Sequence, residues 1–512
     1  MFDALFTTTT EYQKLSHALS GKGACALFGL PASGRAQVYA ALCRQLDKPL
    51  CIVTPGEAEA TRFAADLNTL GIPAAVFPAR DYVLRPIEGT AREYEYRRLA
   101  VLGELVGGRL RAVAVPAEAL TQFTTPKEDF CANTRTLHAG DTLLRDDLLA
   151  ALFGAGYTRR AQVDGPGQFS VRGDIVDIFA PDQKMPVRME FWGDEIDTLH
   201  TFDLTTQRRE DAIDKFYLSP AREVLFGKPA DAAEQLQAFL AKQRGKKKTA
   251  MADCMAADLD LLDGGAVPVN MDKYLAVRYP HPATVLDYFD DPILVAEEPA
   301  SIREADRATV YRRGEELKSL ILDGVLCAGL DNLYADPSYL WSKTGHYRTI
   351  CAENFARSMP DQPLKDIINA PAHTLPAWNG EVAGLLEDLK PLCDAGYTVT
   401  LLAGTDRAAA GLARDLRDKG ILVTTDAAVA PAAGLVQVLA GHLSAGCEFP
   451  FAKYALLTGR AFGETSSQKK KRKKAKDALN SLTEITPGDL VVHQNHGIGR
   501  YAGIQRMAVQ GV

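Results

Sequence analysis

Gly29-Leu30-Pro31-Ala32-Ser33-Gly34-Arg35-Ala36 lies between an apolar run, Ala24 to Phe28, and a helical pattern from Gln37 to Leu46. The spacing is that of a phosphate-binding loop, G-x-x-x-x-G-K-[ST], in which the lysine neutralises phosphate charge and the Ser/Thr hydroxyl ligates magnesium. Arg35 and Ala36 stand at those two positions. Alanine offers no oxygen to a metal, and a forked guanidinium on a longer stem is not a lysine point charge. Gly29 and Gly34 keep the spacing while the chemistry is gone. On the loop alone, a Gly-rich strand-to-helix turn in any α/β domain fits as well.

Outward from the loop, residues 11 to 115 alternate strand and helix patterns. Strands are expected at Ala24 to Phe28, Leu50 to Thr54, Ala74 to Phe77 and Leu110 to Val115, with helices at Tyr12 to Leu19, Glu57 to Leu70 and Ala91 to Val106 between them. Such alternation predicts a parallel sheet with right-handed crossovers. A second trace of a nucleotide site follows at Ile293-Leu294-Val295-Ala296-Glu297, where Ala296 replaces the magnesium-binding aspartate of a Walker B strand and Glu297 remains. Any buried strand ending in an acid would match it alone. Joined to Arg35 and Ala36, it is a second loss in one site.

The pattern changes between Tyr157 and Leu204, where short strands are joined by Gly165-Pro166-Gly167, Arg172-Gly173-Asp174 and Trp192-Gly193-Asp194. This predicts an antiparallel α+β domain inserted into the first one. In Val187-Arg188-Met189-Glu190-Phe191-Trp192 the two-residue period sends Val187, Met189 and Phe191 inward and Arg188, Glu190 and Trp192 outward. Phe169 and Val171 likewise point in and Arg172 out. An outward Trp beside two arginines is the composition of a protein-protein hot spot; the alternative is an Arg-Glu cross-strand pair under a covered Trp.

At 512 residues the chain is too long for one core. A hydrophobic share of 46% and a charged share of 24% are ordinary for a globular protein, and a net charge of -7 argues against whole-surface nucleic-acid binding. Nine cysteines without a C-x-x-C pair give neither a disulfide framework nor a zinc site, which points to a reducing, cytoplasmic setting. No secretory signal opens the chain and no apolar run is long enough to span a membrane. Lys242 to Lys248 reads as a solvated helix end, and Lys469 to Lys476 as a self-repelling linker whose contact with DNA is left open. His373, His442, His493 and His496 lack the neighbours a metal needs.

Two blocks of residues then carry a family resemblance. Gly167-Gln168-Phe169-Ser170-Val171-Arg172-Gly173-Asp174-Ile175-Val176-Asp177-Ile178-Phe179 and Val187 to Ile196 resemble the UvrA-binding domain shared by UvrB and the bacterial transcription-repair coupling factors. Gly488-Asp489-Leu490-Val491-Val492-His493 and His496-Gly497-Ile498-Gly499-Arg500-Tyr501 are similar to the start of the RNA-polymerase-interacting domain, which the coupling factors have and UvrB lacks.

The resemblance implies a multidomain α/β chain from the N-terminal part of a coupling factor. A degenerate P-loop, UvrB-like domain would span 1-131 and 221-343, interrupted by the UvrA-binding domain at 132-220. A third, α/β domain would follow at 345-460, then a basic linker at 461-484 and the beginning of a small β-barrel at 485-512. The strand-opening hairpin of UvrB is not expected, because Phe77 to Arg98 passes almost directly into a helix. The implied UvrA contacts are Arg159, Arg172, Arg188 and Trp192, and an RNA polymerase β-subunit contact falls near Met507, by strand addition. No cofactor is expected in this chain. ATP, magnesium and most DNA contact would belong to a motor beyond Val512, so the chain would be an adaptor and not an enzyme. A UvrB-type ATPase with an unusual loop is the alternative.

Overall fold

The computed structural model describes residues 3–87, 92–357, 359, 362–378 and 382–459, together with the backbone of 490–493 and 497–500. The linker at 461-484, the Lys469 to Lys476 tract, His496, Tyr501 and Met507 lie outside the described residues.

The first domain opens with β1 (Gly23–Phe28), β2 (Leu50–Thr54), β3 (Ala74–Val76) and β4 (Ala112–Pro116). The inserted domain supplies β5 (Arg135–His138), β6 (Thr158–Arg159), β7 (Gln168–Arg172), β8 (Ile175–Phe179), β9 (Val187–Trp192), β10 (Glu195–Phe202), β11 (Arg209–Ala212) and β12 (Lys215–Leu218). The chain then returns to the first domain with β13 (Ile293–Glu297), β14 (Arg348–Glu353) and β15 (Leu364–Asn369). The third domain holds β16 (His373–Leu375), β17 (Thr398–Leu402), β18 (Val423–Thr424), β19 (Val436–Leu439), β20 (Gly446–Phe449) and β21 (Tyr454–Thr458), and β22 (Leu490–His493) pairs with β23 (Gly497–Arg500) as an antiparallel hairpin.

The first sheet has the order β15-β1-β14-β13-β2-β4-β3 and every pairing in it is parallel. Its central strands are near-continuous apolar runs because helices cover both faces. Helix Glu57–Thr69 shows how the cover is built: Ala60, Phe63, Ala64 and Leu67 recur at helical spacing and are buried. The expected boundary at 343-345 is corrected here. The span 345-460 would put β14 and β15 in the third domain, yet β14 lies between β1 and β13 and β15 flanks β1. A parallel strand can join a sheet from any distance in sequence, so their membership follows from pairing alone.

The inserted domain is the six-stranded sheet β11-β10-β9-β8-β7-β6. The expected antiparallel meander is present from β7 to β11, but its edge strand β6 runs parallel to β7. Entry and exit of this domain are tied together, since β5 and β12 pair with each other.

Where the chain re-enters the first domain, a cluster of charges is buried. Glu223 accepts from Arg98 Nε at 2.6 Å and lies 3.3 Å from Arg80 Nε. Arg80 also forks onto Asp272, at 2.7 and 3.1 Å, and approaches Glu95. Arg98 stacks over Phe77 at 4.1 Å and bonds Gln122 Oε1 at 2.9 Å. Burial works against ionisation of Asp272, but the Arg80 guanidinium outweighs it and holds this carboxyl below its usual range. The segment from Pro78 to Ile87 is thereby fixed without regular structure, and Tyr82 and Leu84 pack with Phe226, Met251 and Leu275. Among the described residues no strand occurs between Val76 and Glu93.

Removing one member of so buried a set leaves a charge without its partner. Glu223→Ala is expected to lower the stability of the first domain by about 3–5 kcal/mol, read as an earlier first transition in chemical denaturation.

Candidate functional site

Two sites were legible in the sequence, and the structure treats them differently. At the loop, the helix starts at Ala32 and runs to Leu46, five residues earlier than the pattern predicts. Arg35 N already donates to Pro31 O at 2.9 Å. The Arg35 N–H, which would face phosphate in an open loop, is thus used inside the helix.

Arg35 is buried, and its own cation occupies the site. Its Nη2 lies 2.9 Å from Glu297 Oε2 and 2.9 Å from Glu298 Oε1, while Nη1 donates to Asn354 Oδ1 at 3.4 Å. Tyr39 OH, one helical turn on, donates to Glu297 Oε1 at 2.5 Å. Glu298 takes a left-handed backbone, φ 53°, uncommon outside glycine, and also accepts from Asn354 N at 3.2 Å. Burial works against the Arg35 charge, but Glu297, Tyr39 and Glu298 outweigh it and its pKa is raised. Burial pushes the Glu297 carboxyl up, with Arg35 and the Tyr39 hydroxyl opposing. Ala296, fully buried on β13, adds only packing.

Both glycines of the loop face the chain on its way to or from the third domain. Gly29 has φ +87°, and a Cβ there would stand 3.1 Å from Ala370 C and O. A Cβ on Gly34 would stand 2.9 Å from Cys447 Sγ and 3.4 Å from the Phe449 ring. Ala36 is buried in a core shared with Cys447, Phe449, Tyr454 and Leu456. Ser444, on the same side, donates to Asp66 through its N at 2.7 Å and its hydroxyl at 2.6 Å. The third domain is therefore seated on the loop.

The second site is the polar face of the inserted sheet. Phe169, Val176, Ile178, Val187, Met189 and Phe191 form its core face, as the two-residue period requires. On the opposite face Trp192 is 82% exposed. Arg172 and Trp192 end β7 and β9 at hairpins on the same edge of the meander, each closed by a glycine at positive φ, Gly173 and Gly193.

Arg188 departs from the sequence expectation: it lies on the outer face but not free, with only 11% of its side chain exposed. It lies over the Phe202 ring at 4.8 Å, donates from Nε to Asp177 Oδ1 at 2.7 Å and from Nη2 to Asp177 Oδ2 at 3.0 Å, and bonds Gln207 O at 3.2 Å. Arg172 Nη2 donates to the same Asp177 Oδ2 at 2.6 Å, with 47% of its side chain still exposed. The cross-strand Arg-Glu alternative does not form at Arg188, because Glu190 is engaged by Arg209 and Thr198. Arg159 is set apart. Its register partner is Phe169, which places it on the other side of the sheet and three positions back from Arg172.

Sequence reasoning missed Asp177, Tyr39 and the Cys447–Phe449 cover. A signal existed for Asp177, since one acid inside the apolar run Ile175-Val176-Asp177-Ile178-Phe179 implies a buried partner. Among the described residues no group of three His, Cys, Asp or Glu could hold a metal ion, and His442 Nδ1 is within 2.9 Å of Gly459 O. No described helix is long and apolar enough to cross a membrane.

The UvrB interaction domain model matches residues 136–224, which hold this polar-faced sheet. The CarD-like/TRCF RID domain model matches residues 485–512. The transcription-repair-coupling factor of Bacillus subtilis is 26% identical over 501 residues, which cover 95% of this chain and 42% of that protein. Those of Staphylococcus haemolyticus and Staphylococcus aureus (strain MRSA252) are 26% and 24% identical, covering 94% and 99% of this chain and 42% and 44% of theirs. The chain is thus similar over nearly all of its length to bacterial transcription-repair-coupling factors, and it spans less than half the length of the curated relatives it matches.

Arg35→Ala is expected to cost about 3–5 kcal/mol at neutral pH and above, because Glu297 is left buried without a counter-charge. Losing Arg35 raises the folded-state pKa of Glu297 further above its unfolded value. The variant therefore loses stability as pH rises through that value, and its deficit against the parent shrinks on acidification. Melting curves of both proteins at about pH 5 and pH 8 read the difference.

Proposed function

We propose that this chain is an adaptor that recruits the excision-repair protein UvrA to sites where RNA polymerase has stalled, and that it hydrolyses no nucleotide itself. The observation that carries the proposal is the polar face of the inserted sheet. An exposed Trp192 stands on the same outer face as two arginines fixed by one buried carboxylate, on a domain of the UvrB-interaction class. Aromatic and arginine side chains held rigidly at a surface are the groups that dominate protein interfaces. Arg172, Arg188 and Trp192 are the contacts we assign to UvrA. Arg159, on the other side of the sheet, would belong only to the rim of such an interface.

The absence of turnover is supported by the filled site: the Arg35 guanidinium sits between Glu297 and Glu298 where a nucleotide phosphate and its metal would be bound, and no hydroxyl is present at Ala36. The name of the relatives, transcription-repair-coupling factor, brings the second partner into the proposal. RNA polymerase would be engaged through residues 485–512, with a β-subunit contact near Met507, outside the described residues. ATP, magnesium and DNA translocation belong in this reading to segments of the longer relatives that this chain does not cover, and the setting is the cytoplasm. A UvrB-type ATPase is the competing reading.

Purified chain is expected to capture UvrA without nucleotide, and Arg172→Ala or Arg188→Ala to weaken capture by about 2 kcal/mol or more each. Equal capture by the double variant would overturn the adaptor reading. In a DNA-stimulated phosphate-release assay the chain is expected to stay at background, and turnover abolished by Arg35→Ala would establish the ATPase instead.

A further inference from the structure

We propose that Asp177 is the positioning residue of the UvrA-binding face, acting only through the two arginines it holds; the inference rests on that face being the UvrA contact. Asp177 is 1% exposed and cannot itself meet a partner. It sits on the central strand β8, with Ser170 on one side and Arg188 on the other in register. Both of its oxygens are engaged: Oδ1 by Arg188 Nε, and Oδ2 by both Arg188 Nη2 and Arg172 Nη2.

One carboxylate thereby sets the tilt of one guanidinium and the reach of the other. Arg188 is held flat, by a two-point grip beneath it and the Phe202 ring below. Arg172 gives Asp177 a single nitrogen and keeps the rest of its fork toward solvent. Two long cationic side chains would otherwise repel one another and sample many rotamers, and ordering them at the moment of binding costs affinity. The shared carboxylate removes both penalties in advance. A merely structural acid would be expected to pair with one group of its own core, whereas every side-chain bond of Asp177 goes to these arginines.

The test uses the whole chain, labelled with 15N-arginine, and purified UvrA. Asp177→Asn is isosteric but turns one oxygen into a donor that faces a guanidinium. It is expected to weaken UvrA binding by about tenfold or more, to move the Arg188 Nε–H resonance out of its protected position, and to leave the melting temperature close to the parent's. If Asp177→Asn proves unstable, Arg188→Lys is read instead. An ammonium keeps the charge but reaches Asp177 at one point only, and the same loss of at least about tenfold is expected.

Parental affinity in Asp177→Asn, or in Arg188→Lys where that replaces it, with Arg188→Ala still impaired, overturns the positioning role and leaves the adaptor reading standing. A loss of affinity with the Arg188 Nε–H resonance unmoved also overturns it. Parental affinity in Arg188→Ala itself overturns the adaptor reading beneath it.

Discussion

The ion pair between Arg98 and Glu223, both fully buried, is the constraint on which the architecture turns. Glu223 lies five residues after β12, where the chain has just left the inserted domain. Arg98 lies on the long helix that precedes β4. Their contact closes the first domain across an excursion of about a hundred residues, and Arg80, Glu95 and Asp272 extend it into the helical layer behind. Charges this deep are tolerated only when each has a partner. The arrangement thus fixes which segments must meet, and it does so where the inserted sheet joins the first domain. The sheet can be mounted at a set angle only because its two connections, β5 and β12, are paired and its exit is pinned by Glu223.

The same logic of paired burial recurs at both candidate sites with opposite results. At the loop, Arg35 is held by two glutamates and Asn354 from within the protein. On the inserted sheet, one aspartate is shared by two arginines, and the second of them retains unspent donors at the surface. Two acids closing on one cation keep that cation inside the protein; a buried acid outnumbered by cations leaves donors at the surface. Whether donors remain exposed is here a matter of stoichiometry within a few ångströms.

How much of this was readable before the fold depended on whether the determining interaction was local. The alternation around β1, β2 and β4, the inward set Val187, Met189 and Phe191 and the outward position of Trp192 follow from periodicity, which is a property of consecutive residues. The loop's lost chemistry was legible at Arg35 and Ala36 because a motif fixes both identity and spacing. What escaped was long-range. The membership of β14 and β15 in the first sheet depends on pairing with β1, more than three hundred residues away in sequence. The early helix start at Ala32 and the partnership of Arg35 with Glu297 depend equally on distant segments. Arg188 was placed on the correct face but its inward fold was not, since a two-residue period says which side a residue leaves the strand and nothing about where a long side chain ends.

The seating of Cys447 and Phe449 against Gly34 makes the loop a joint between domains. Gly29 and Gly34 lack the Cβ atoms that would meet Ala370 and Cys447, so the two glycines that set the loop's spacing also admit a neighbouring domain. Lysine at position 35 and a hydroxyl at 36 would therefore meet a helix already begun at Ala32, a Glu297 that has lost its guanidinium, and a domain packed where the loop would have to open.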